Sequence, residues 1–167
     1  MEVKSIEGRG TTFILYFPVS RDAAEIPESH FSLEDYLGKG ETILVVDDIR
    51  EQREIATIML EKLGYIVASV DSGEAAVAYL KEQCVDLVIL DMIMEPGIDG
   101  LETYRLIRED CKEQRAIIAS GYSETDRVRE AQRLGAGTYV KKPYTLEKIG
   151  VAVRAELNRR LPKMKSN

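Results

Sequence analysis

Five polar side chains stand at or just beyond the ends of short apolar runs, where their types and order could do chemistry. Asp47 and Asp48 follow the run Thr42 to Val46, and Asp91 follows Leu87 to Leu90. Ser120 follows Ala116 to Ala119, and Lys142 comes just after Thr138 to Val140. Three carboxylates brought together repel one another and would titrate above their ordinary range. A divalent cation relieves that conflict, and an all-oxygen ligand set points to Mg²⁺, Mn²⁺ or Ca²⁺. Mg²⁺ typically takes one or two carboxylates and leaves positions open for phosphate oxygens. A third carboxylate is then free to act as nucleophile and form an aspartyl phosphate. Lys142 could neutralise phosphoryl charge as a point cation, and the Ser120 hydroxyl could donate to a phosphoryl oxygen. The set contains what phosphoryl transfer by positioning and electrostatics requires.

The elements that must position these residues are strands alternating with helices. After Thr42 to Val46 comes a helical stretch with Ile55, Ile58, Met59 and Leu63 on one face, closed by Gly64. Tyr65 to Val70 reads as a second strand, and Ser72 as the cap of a helix burying Val77 and Leu80. The run ending at Asp91 is the third strand; a Pro/Gly loop and a helix with Leu101, Tyr104 and Ile107 follow it. The run ending at Ser120 is the fourth strand. Ser123 to Asp126 resembles a capping box for a helix closed by Gly135. Thr138 to Val140 is the fifth strand, and Thr145 can cap a last helix running to about Arg160. Strands apolar on both faces and alternating with helices predict a parallel sheet covered on both sides. The expected fold is α/β: a flavodoxin-like (βα)5 doubly wound sheet of strand order 2-1-3-4-5. Sites in such sheets form outside the carboxyl ends of the strands, which is where the five polar residues fall.

Composition bounds the function. The chain has 167 residues, a 44% hydrophobic fraction and a net charge of −6, so it can bury a core but lacks the basic face that nucleic acid requires. No apolar run approaches the ~20 residues that span a bilayer, so no membrane contact by this chain is expected. Cys84 and Cys111 are widely separated and do not make a disulfide framework, which favours a reducing, cytoplasmic setting. Four zones are expected: 1–20, a strand bounded by Gly10 and Pro18; 21–40, a linker with a helical turn near Leu33 to Leu37; 41–161, the patterned domain; and 162–167, a tail.

The ordered set Asp47-Asp48, Asp91, Ser120, Tyr139 and Lys142-Pro143 resembles the receiver domain of two-component signalling, over about residues 41–160. The resemblance implies Asp91 as phosphoacceptor. It implies Mg²⁺ held by Asp48 directly, by Asp47 through water or directly, by Asp91, and by the backbone carbonyl of Ile93. It implies Lys142 and Ser120 at the phosphoryl group, and Ser120 and Tyr139 as the pair that moves when the domain switches between two pre-existing states. The implied partner is a histidine kinase or a histidine phosphotransfer domain. His30 is the only histidine and its neighbours do not resemble a phosphorylation box, so the donor is expected elsewhere.

One departure stands beside the acceptor. The family usually reads Asp-x-x-Met-Pro, whereas here Asp91-Met92-Ile93-Met94 is followed by Glu95 before Pro96. Glu95 and Asp99 are read as solvated loop charges. Residues 3–20, with Gly8-Arg9-Gly10-Thr11-Thr12-Phe13 leading an apolar strand, resemble the last strand of a histidine-kinase ATP-binding domain. That order implies the C-terminal receiver of a hybrid sensor kinase. The strand Thr11 to Phe17, cut off from its sheet, is expected to be disordered or to pair with an exposed sheet edge within the chain or in a neighbour, the latter being self-association through it. With so little sequence after the last helix, no output domain is expected. Two other functions compete with this one. A haloacid-dehalogenase-type phosphatase would carry Asp-x-Asp after its first strand, and here Ile93 stands two beyond the acceptor. A receiver-like interaction module that is not phosphorylated would usually lack a key carboxylate or the lysine, and all are present.

Overall fold

The structure is a computed structural model that describes residues 1–17, 36–121 and 126–159. The chain divides into two compact units, Met1–His30 and Phe31–Asn167.

In the first unit, β1 (Glu2–Ile6) and β2 (Gly10–Ile14) form an antiparallel hairpin, with Val3 opposite Phe13 and Ser5 opposite Thr11. The Arg9 N–H donates to the Ile6 carbonyl at 2.9 Å, and Gly8 takes the left-handed backbone (φ +75°) that the short turn needs. Of the two expectations for the strand Thr11 to Phe17, pairing within the chain holds rather than disorder, with its bounds corrected: β2 ends at Ile14, and its partner is a strand just before it that the sequence reading did not include. The partner strand escaped the sequence reading because all of β1 is exposed. With no face half-buried, it shows no alternation of apolar and polar residues to detect.

In the second unit, β3 (Thr42–Val46), β4 (Ile66–Val70), β5 (Leu87–Asp91), β6 (Ala116–Ser120) and β7 (Tyr139–Lys141) form one parallel sheet in the order β4-β3-β5-β6-β7. This is the expected 2-1-3-4-5 order. The helices are α1 (Arg50–Lys62), α2 (Gly73–Glu82), α3 (Gly100–Asp110), α4 (Asp126–Arg133) and α5 (Leu146–Asn158). Strand side chains alternate between two cores. Ile43, Val45, Ile89 and Ile117 pack with Leu60, Leu63, Ile149 and Val153 of the α1/α5 side. Leu44, Val46, Leu90 and Ile118 pack with Ala76, Tyr104 and Val128 of the α2/α3/α4 side. Ser72 and Thr145 cap α2 and α5 as expected, accepting from the N–H groups of Ala75 and Lys148. Ser123 lies outside the described residues.

Three readings change. The buried face of α1 is Ala56, Leu60 and, at its end, Leu63, while Ile55 and Ile58 are about half exposed. The helix carries too many apolar residues for one stripe, and small Ala56 rather than a bulky isoleucine meets the sheet. Helix α2 buries Gly73 and Ala76, with Val77 and Leu80 only half-buried. Tyr36, read as linker, is buried in the α1/α5 core, and the Tyr65 hydroxyl donates to its carbonyl at 3.0 Å. The Gly38 N–H donates to the Leu63 carbonyl, so the packed unit begins before residue 40.

Candidate functional site at the carboxyl end of the sheet

Parallel pairing sets the carboxyl ends of β3, β5, β6 and β7 side by side. Ionisable or polar residues there would be unpartnered at a bare strand end, so where their bonds go is informative. Asp47 is buried. Its Oδ1 accepts from the Ile49 N–H at 2.9 Å, and its Oδ2 accepts from Lys142 Nζ at 2.5 Å. Asp91, also buried, accepts from Lys142 Nζ through Oδ2 at 2.8 Å and from the Ile93 N–H through Oδ1 at 3.4 Å. Asp48 accepts from the Glu95 N–H through Oδ2 at 3.2 Å, and its Oδ1 is buried with no hydrogen-bond partner. One oxygen from each of Asp47, Asp48 and Asp91 lies within 4.8 Å of the others.

Lys142 is thus the ammonium bonded to two of three clustered carboxylates. Burial pushes the Asp91 carboxyl above its ordinary range; Lys142 and the Ile93 N–H pull it back, while the Asp47 charge adds to the rise. Tyr144, beside the cluster, is pushed up to about 12 by burial and by the charges of Asp47 and Asp91. The excess negative charge and the unpaired Asp48 oxygen suit a hard divalent cation, and the three carboxylates could hold one.

The remaining expected residues fall beside this cluster. Ser120 is buried at the end of β6, adjacent to β5, where Asp91 pairs with Ala119. Its carbonyl accepts from the Lys142 N–H at 2.8 Å and from the Tyr139 hydroxyl at 3.4 Å, linking lysine, serine and tyrosine through one atom. Ile93 is about half exposed in the loop after Asp91. Gly100, at the start of α3, passes so close that a Cβ there would come within 2.1 Å of the Asp91 carbonyl. Only glycine lets α3 pack this closely against the end of β5.

Several contributors were not read from the sequence. Arg53 Nη1 donates to the Asp47 carbonyl at 2.6 Å, and a basic residue one turn into a helix gives no such signal on its own. Asp99 is not a free loop charge: it caps α3 by accepting from the Glu102 N–H at 2.9 Å and pairs with Arg127. A cap three residues before Glu102 was legible in principle. The N–H of Glu95 reaches Asp48, a contact across 47 positions that spacing cannot reveal. A cleft of about 480 Å³ lined by Gln52, Ile55, Lys142, Pro143 and Tyr144 opens on the site. Cys84 and Cys111 are exposed free thiols.

Comparison with known proteins gives the family to which this fold belongs. The family model for the response regulator receiver domain matches residues 43–154. The chain is 34% identical over 117 residues to sporulation initiation phosphotransferase F of Bacillus subtilis, covering 70% of this chain and 94% of that protein. It is 31% identical over 119 residues to regulatory protein VanRc of Enterococcus gallinarum, covering 71% of this chain but 51% of that protein, so it spans about half the length of that relative. Among solved structures, response regulator protein TrrA of Thermotoga maritima, in complex with Mg²⁺-BeF, is similar with a TM-score of 0.62 and 34% identity, over 69% of this chain and 97% of that one. The chain therefore belongs to the response regulator receiver domain family, and its role is that of a phosphoacceptor switch in two-component signalling. Among the described residues, no helix is long and apolar enough to cross a membrane.

Proposed function

We propose that Asp91 is the phosphoacceptor, taking a phosphoryl group from a phosphohistidine of a histidine kinase or histidine phosphotransfer domain. The observation that carries this reading is Lys142 Nζ bonded to both Asp47 and Asp91, beside an Asp48 oxygen that is buried and unpaired. Asp47, Asp48, Asp91 and the Ile93 carbonyl would hold Mg²⁺. When bound, the ion supplies positive charge to the phosphoryl oxygens. An Asp91 oxygen attacks phosphorus as the bond from phosphorus to the donor imidazole nitrogen breaks, giving an aspartyl phosphate. Lys142, bonded to Asp91, would neutralise the transferred group. Ser120 would donate to a phosphoryl oxygen and, with Tyr139, report the change; the hydrogen bond from Tyr139 to the Ser120 carbonyl supports that coupling.

Ile49, Ile55, Ile58 and Ile93, in the loop after β3, on α1 and in the loop after β5, are each about half exposed. An apolar surface beside a charged site suits a helical donor whose histidine enters the pocket. The resemblance of residues 3–20 to the end of a kinase ATP-binding domain supports a hybrid-kinase setting in the cytoplasm. The fully exposed strand β1 and the exposed Val3, Ile6 and Phe13 support a hairpin taken from a larger sheet, a surface that could also self-associate. In that setting 1–20 is the kinase remnant, the linker ends before Tyr36, the receiver runs from there to about 161, and 162–167 is the tail.

The test is intact mass after incubation with acetyl phosphate and Mg²⁺. One added phosphoryl group is expected, absent in Asp91→Asn and in EDTA. No adduct in the natural chain, with beryllofluoride also failing to bind, would overturn the assignment.

A further inference from the structure

We infer that the residue inserted after Met94 positions the metal-binding carboxylate: the main-chain N–H of Glu95 holds Asp48 so that its other oxygen faces the cation. The inference rests on the metal reading above. Had Pro96 followed Met94 directly, as in the Asp-x-x-Met-Pro pattern, that position would have no N–H to donate. Glu95 restores a donor, and the donor is used: Asp48 Oδ2 accepts from it at 3.2 Å. Asp48 Oδ1 is left buried and unpaired, which is what a ligand atom awaiting an ion looks like.

The donor is itself fixed. Downstream, the Ile98 N–H donates to Glu74 Oε1 at 3.0 Å, the Gly100 N–H donates to the Met92 carbonyl at 3.3 Å, and Asp99 caps α3. The loop is tied to α2 and α3 beyond Glu95 and to β5 before it, so the N–H is carried on a braced segment rather than a free tip. A carboxylate bonded through one oxygen has lost the rotation that would otherwise be lost on binding the ion. The Glu95 side chain has no part in this; only its amide does.

That distinction makes the test. Glu95→Pro and deletion of Glu95 both remove the donor, whereas Glu95→Ala keeps it. Mn²⁺ affinity of the full chain, read by electron paramagnetic resonance, should fall about five- to tenfold in the first two and stay within about twofold in Glu95→Ala. Autophosphorylation by acetyl phosphate in the first two should need more Mg²⁺ yet approach the natural maximum at saturation. On the unaltered loop, hydrogen exchange at the Glu95 amide should be slow, and should speed by about tenfold or more in Asp48→Ala. Natural Mn²⁺ affinity in the donor-less variants, an equal loss in Glu95→Ala, or an unprotected Glu95 amide in the natural chain would each overturn the assignment. A natural chain that binds no Mn²⁺ and takes no phosphoryl group would instead sink the proposed function itself.

Discussion

The two ends of the parallel sheet use the same residue types to opposite effect. At the amino end three carboxylates each have their own partner. Glu41 pairs with Arg154 at 2.7 Å, Asp86 Oδ2 accepts from the Thr42 N–H at 2.8 Å, and Glu156 pairs with Arg159 at 2.6 Å. Arg154 also donates to the Leu37 carbonyl and sits over the Tyr65 ring, with only its Nε buried and unpaired. At the carboxyl end, Asp47, Asp48 and Asp91 gather about one lysine. One end is closed by pairing, and the other keeps negative charge in reserve. Where charge is matched, removing a group should destabilise; where it is in surplus, removing one should stabilise and cost function.

The largest expected effect lies at the closed end and is apolar. Tyr36 is buried against Leu63 and α5; a Cβ on Gly150 would come within 2.6 Å of its ring. Tyr36→Ala should destabilise the unit by about 3 kcal/mol and lower its melting temperature by roughly 10 °C. A thermal melt within about a degree of the natural chain would show that residues before Glu41 do not belong to this core.

The opposite sign is expected at the open end. Burial raises the Asp91 carboxyl, so holding it ionised at neutral pH works against the folded state. In EDTA, Asp91→Asn should raise stability by about 1 kcal/mol while abolishing phosphoryl uptake. The Lys142–Asp47 contact survives the change, so no buried ammonium is stranded. A lower melting temperature in Asp91→Asn would mean that Lys142 already balances the cluster, and the contrast between the ends would fail.

What was legible from sequence follows the same division. The open end announced itself because each strand terminates in a polar residue after an apolar run, and the strand order brings those termini together. Asp47, Asp48, Asp91, Ser120 and Lys142 all stand at those strand ends. The closed end did not, because Arg154 meets Glu41 across 113 positions and Tyr36 reaches its pocket from a stretch whose neighbours look like linker. Ile55 and Ile58 misled for a related reason: size suggested core, but the close approach of α1 to the sheet favours Ala56. Local pattern reports which face of an element is apolar. It is silent about single long-range bonds, which is why the Glu95 insertion could be noticed and its contact with Asp48 could not.

The smallest effect concerns the matched pair itself. Glu41 and Arg154 are 22% and 12% exposed, shielded enough for the pair to count but not fully dry. Burial alone would raise the Glu41 carboxyl, yet the Arg154 guanidinium and the Lys39 N–H overcome it and hold it at about 2, from an ordinary 4.5. A carboxyl lowered in the folded state contributes its stabilisation fully above its unfolded value and loses it as pH falls toward the folded one. Glu41→Gln should therefore cost about 1 kcal/mol at pH 7 after allowance for solvent screening. Both chains lose stability in acid as other carboxyls titrate, so the informative quantity is the gap between them. It should narrow as pH falls from 4.5 toward 2, because protonation then removes from Glu41 the charge that the substitution has already removed. A gap that stays constant across that range would assign the cost to lost hydrogen-bond geometry rather than charge, and the amino end would not be closed by electrostatic matching.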